Sequence, residues 1–76
     1  STDLTAPTYD FYYNHAIQSI ENAQGGHYTI YNIDGTIVAQ EHITSATHPL
    51  PSLAPGIYIL TIQHNNHKQS LKLIHL

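Results

Sequence analysis

The sequence predicts an all-β domain, a small antiparallel sandwich of about six or seven short strands. Three observations carry this. Runs rich in β-branched and aromatic residues recur with turn signals every ~8–12 residues and no helical period interrupts them. Asp34-Gly35 and Asn65-Asn66 each sit between two such runs, where a hairpin turn belongs. The stretch 57–62 is the most apolar of the chain, with Tyr58, Leu60 and Ile62 on one face and Ile57, Ile59 and Thr61 on the other. That pattern predicts a central strand covered on both faces.

Seventy-six residues allow one domain, and a chain of that size buries only roughly 60–65% of its unfolded surface. Cysteine is absent, which removes disulfides, thiolate zinc sites and thiol nucleophiles. Lysine and arginine number 2 against 5 acidic residues, the net charge is −3 and both cations are lysines, so the positive field needed for nucleic acid is missing. No apolar run approaches the ~18–20 residues of a membrane-spanning helix. With neither an initiator Met nor a signal segment, the chain looks like a piece cut from a longer precursor. We expect residues 1–8 to be a linker from that precursor and 9–76 to be the domain.

Taken in order, residues 9–13 gather Tyr9, Phe11, Tyr12 and Tyr13, which suits a short edge strand whose rings cap one end of the sandwich. Residues 15–21 lack clean alternation, and a bulged strand is favoured over one helical turn. Residues 22–26 end it at Gly25-Gly26. The runs 27–33 and 36–43 flank Asp34-Gly35, predicting a hairpin closed by a two-residue turn with φ > 0 at both positions. Pro49 and Pro51 confine 44–50 to a loop or short edge strand. Pro55 and Gly56 predict a tight corner over 53–56, with φ > 0 at Gly56, leading into the central strand. After the turn at 64–67, the run 68–76 returns antiparallel and stays apolar to its end. The expected core is Ile30, Val38, Leu53, Tyr58, Leu60, Ile62, Leu71 and Leu73.

Seven histidines invite a metal hypothesis, but His64-x-x-His67 flanks a turn and has no acidic or thiol neighbour to complete a ligand set. We expect no metal and no cofactor, and read His15, His42, His48 and His75 as polar surface residues. Because they titrate near an unperturbed pKa of about 6.5, the net charge should change sign in mild acid. No Gly-x-Ser-x-Gly elbow, paired carboxylate or phosphate loop is present, so no catalytic residue is assigned and no enzyme is expected.

Three segments in order are 28-YTIYNIDGTIV-38, 53-LAPGIYILTI-62 and 69-QSLKLI-74. Together they resemble the C-terminal sorting domain (type A) of cargo proteins of the type IX (Por) secretion system of Bacteroidetes. The middle segment is similar to the family's L-x-x-G-h-Y-h-h-h-h signature, and the first to its hairpin. The resemblance covers about residues 27–76. The Pro-Asn-Pro element with which members commonly open does not occur before Asn22.

The resemblance implies an immunoglobulin-like sandwich that crosses the inner membrane with its parent and is recognised in the periplasm by the outer-membrane translocon. In many members a cell-surface sortase removes the domain and attaches the cargo to anionic lipopolysaccharide; in a few, it is retained as a docking module. The residues expected to be read are Gly56, Tyr58, Leu71, Lys72, Leu73, Ile74, His75 and Leu76, through strand addition. An open terminal strand also predicts homodimers by strand exchange. The competing expectation is an adhesion or carbohydrate-binding accessory module that stacks sugars on Tyr9, Phe11, Tyr12 and Tyr13.

Overall fold

Seven strands and no helix make up residues 10–76, the part of the chain that the computed structural model describes. The linker expected over 1–8, and Tyr9, lie outside the described residues. The strands are β1 (Tyr12–Asn14), β2 (Ser19–Glu21), β3 (His27–Asn32), β4 (Ile37–His42), β5 (Thr47–Pro49), β6 (Gly56–His64) and β7 (His67–His75). They form two antiparallel sheets, a three-stranded one in the order β1-β2-β5 and a four-stranded one in the order β4-β3-β6-β7. The all-β sandwich expected from the sequence is present.

Alternation explains how the layers meet. Tyr28 and Ile30 of β3, Tyr58, Leu60 and Ile62 of β6 and Leu73 of β7 point inward and are buried. Tyr13 and Ile20 close the core from the smaller sheet, with Phe11, Ala23 and Ile43 entering from the connections. Burying this set is the main force holding two layers together. Of the expected core, Leu53 and Leu71 are only partly buried, packed against it. The six core members Phe11, Tyr13, Ile20, Ala23, Tyr28 and Ile43 were not on that list.

Val38 is the clearest correction: it is 41% exposed. Ile30 pairs with Ala39 but Tyr31 pairs with Ile37, so Val38 is the extra residue of a β-bulge and Ala39 takes the inward position. The hairpin is real, but its turn differs from the one expected. The Gly35 N–H donates to the Asn32 carbonyl and the Asn32 N–H to the Thr36 carbonyl, with φ positive at Gly35 (92°) and not at Asp34. This is a three-residue connection in which a left-handed glycine follows a tight turn, one of the common alternatives to the two-residue form.

The central strand is covered on one face only. Ile57 is 44% and Ile59 36% exposed, because the three-stranded sheet covers the inner face and no second layer lies on the outer one among the described residues. Residues 15–18 form a turn and only Ser19–Glu21 is strand, so the bulged strand expected over 15–21 shrinks to β2. Thr47–Pro49 is an edge strand, where Pro49 removes no bond that an inner strand would need.

Candidate functional site

The β6–β7 hairpin dominates the larger sheet, both strands running nine residues. Its turn works because Asn65 and Asn66 both accept the left-handed region, at φ 49° and 66°. The pairing then runs unbroken from His64↔His67 to Gly56↔His75. That register decides which residues of β7 are shown. Leu71 and Leu73 face Leu60 and Tyr58 on the core side, while Lys72 and Ile74 pair with Ile59 and Ile57 on the outer face. Lys68 and Lys72, the chain's two cations, are both exposed on β7. Among the described residues β7 pairs with β6 alone, so its other side is an edge of the sheet.

The eight residues expected to be read therefore divide. Tyr58 and Leu73 are buried and Leu71 half-buried, which makes them supports; Gly56, Lys72, Ile74 and Leu76 are exposed and His75 half-exposed. The register brings Gly56 beside His75 and Tyr58 beside Leu73, so both motifs belong to one ladder.

The corner before β6 is held differently from expectation. Gly56 is not at positive φ, and a Cβ there would meet only ordinary contacts with the Tyr58 ring at 3.7 Å. The Tyr58 hydroxyl instead donates to the Ala54 carbonyl at 2.6 Å, tying the approach to the strand it enters. The Gly-x-Tyr signal thus reflects a buried ring whose polar end has a backbone partner, as a buried tyrosine requires.

The described rings of 11–13 do not form a platform. Phe11 is 2% and Tyr13 8% exposed, pointing into the core, and of the described three only Tyr12 faces solvent. The sugar-stacking surface loses two of its rings to packing.

The histidines spread over the molecule. His64 Nε2 donates to the Gln24 carbonyl at 3.1 Å, with Phe11 edge-on at a ring distance of 5.8 Å. His48 lies 5.7 Å from the Tyr28 ring across the core. His27 and His42 are cross-strand partners, ring centroids 6.4 Å apart, lining with Gln40 and Glu41 an open hollow of about 330 Å³. Among the described residues no group of three or more His, Asp or Glu could hold a metal ion. The Tyr28 hydroxyl donates to Glu41 Oε1; burial first, then this bond and the carboxylate's charge, raise the Tyr28 pKa far above its ordinary value.

Sequence reasoning missed that Ile37, Ile57, Ile59 and Ile74 are exposed together in the larger sheet, with Ile33 exposed in the turn between β3 and β4. The parity of Ile57 and Ile59 against Tyr58 and Leu60 was the available signal.

A family model described as the secretion system C-terminal sorting domain matches residues 10–75. No curated protein and no solved structure matches the chain.

Proposed function

Since the chain belongs to the C-terminal sorting domain family of the type IX secretion system, we propose that it works as a non-catalytic address whose open β7 edge is what the apparatus reads. A domain of this family is a sorting signal that engages the type IX machinery and sends its parent to the cell surface or beyond it. The finer reading is that the domain folds in the periplasm and is bound there by outer-membrane translocon components. A cell-surface sortase or attachment protein then takes it over, with anionic lipopolysaccharide as the cargo's final anchor.

The observation that carries this reading is the position of β7 at the rim of the larger sheet. Its backbone edge is open to strand addition among the described residues, and Lys72 and Leu76 project beside it. Backbone pairing supplies affinity in such recognition and side chains beside the edge supply selection. The adhesion alternative is disfavoured because Phe11 and Tyr13 are committed to the core.

The experiment follows export of the parent protein. Deleting residues 72–76 should strand the precursor in the periplasm, but it also removes Leu73 from the core. Lys72→Ala separates address from fold, since removing an exposed lysine from a strand surface should change stability by less than about 0.5 kcal/mol. Slowed export of Lys72→Ala with an unchanged urea midpoint is the expected result. Normal surface delivery of the deletion would sink the address reading.

A further inference from the structure

The outward face of the four-stranded sheet divides into two halves of opposite character. Toward one end, Gln40 Nε2 donates to Thr29 Oγ1 at 3.1 Å, and the hydroxyls of Thr61 and Ser70 share a hydrogen bond at 3.2 Å. This half satisfies itself. Toward the β3–β4 turn, the register sets Ile37, Tyr31, Ile59 and Lys72 in one row across the four strands, with Ile57 beside Ile74 in the next. Ile33 follows Asn32 at the end of β3 and is 76% exposed; Ile74 is 57% exposed. Four isoleucines thus crowd one end of a sheet face, with Ile33 exposed in the adjoining turn, whereas isolated apolar residues are what a monomer's surface normally shows.

The charges beside this patch are of opposite sign and at opposite ends. Lys72 closes it on the β7 side. Asp34, at the tip of the β3–β4 turn, flanks it on the other, and its carboxylate accepts the Thr36 N–H at 3.0 Å, a bond that holds its pKa below the usual value. The remaining described acids lie elsewhere: Asp10 and Glu21 belong with the smaller sheet, and Glu41 is engaged by Tyr28.

We propose that this half-face is the interface of an isologous dimer, its occupant being a second copy of this chain. A two-fold axis along the strands, between β3 and β6, lays each β7 over the other copy's β4. The isoleucines of both copies then interdigitate as the inner faces of a sandwich do, and each Lys72 comes to the flank where Asp34 of the partner subunit stands. Opposite charges at opposite ends are the arrangement that such an axis needs; two like flanks would repel. This dimer differs from one made by exchange of β7, because it uses the sheet's face and leaves the β7 edge open.

Sedimentation of the 76-residue chain from micromolar to millimolar concentration tests it. A reversible monomer–dimer equilibrium is expected. Ile37→Thr combined with Ile57→Thr should raise the dissociation constant about tenfold or more at an unchanged urea midpoint, since both side chains are exposed in the monomer and lose apolar area only in the dimer. Lys72→Asp and Asp34→Lys should each weaken association, and the double exchange should recover it. A chain that stays monomeric at millimolar concentration overturns the proposal. So does a dimer indifferent to the two threonines, which would place the contact at the sheet edge, or a double exchange that recovers nothing.

Discussion

Tyr28 shows how much a single side chain can tie together at the residue scale. Its ring is fully buried between the sheets, near His48, while its hydroxyl reaches Glu41 at the β4 rim. Ionising it would place a phenolate in the core beside a carboxylate, which is why its pKa is raised by burial and by Glu41. A tyrosine whose folded pKa lies above its unfolded value, about 10, contributes stability that is fully present below that pH and is lost as pH rises beyond it. The urea midpoint should therefore fall steadily above pH ~10, and Tyr28→Phe, with no proton to lose, should flatten much of that fall. Tyr13, also raised by burial, accounts for part of what remains. An unchanged alkaline profile in the variant would remove Tyr28 from this role. None of this coupling is visible in the sequence, because Glu41 is 13 residues away and only the register brings it opposite.

Among the elements, the long strands were legible and the short ones were not. β6 and β7 carry nine residues each, enough for alternation and turn chemistry to agree, and both Asn residues of their turn adopt the conformation anticipated. β1, β2 and β5 have three residues each, too few for any period to emerge, so the sequence does not single out Tyr13 and Ile20 as core. The bulge at Val38 escaped because nothing local distinguishes an extra residue from a paired one. Of the candidate site, the ladder joining Gly56 to His75 was readable from motif order. The division of β7 into support and display needed the register.

Two substitutions weigh these elements against each other. Leu60→Ala should cost about 2–5 kcal/mol, as expected for a leucine wholly inside the core. Gly26→Ala should cost about 1–3 kcal/mol for a different reason, since its Cβ would stand 2.2 Å from the Gln63 carbonyl of β6 and force the backbones apart. Urea melts check both; a loss under about 0.5 kcal/mol for Leu60→Ala would contradict the central placement of β6.

At the scale of the whole molecule, the same chain is built as two unequal halves, a small sheet of three-residue strands and a large one anchored by a nine-residue hairpin. The sandwich class followed from composition and turn spacing alone, whereas the one-sided cover of β6 could not, because a sequence does not state how many layers will form. The asymmetry between sheets has a mechanical consequence. Among the described strands, force entering from the N-terminal side meets β1 first, an edge strand held by three pairs, and then β2, so the small sheet should peel open under light load. The β6–β7 hairpin stands last in that order of rupture. Stretching the chain in an optical trap should show an early, weak yielding step followed by a stronger one, and a single all-or-none rip would refute this hierarchy. A domain that gives way in this sequence surrenders its N-terminal half to traction while keeping its edge strand in register.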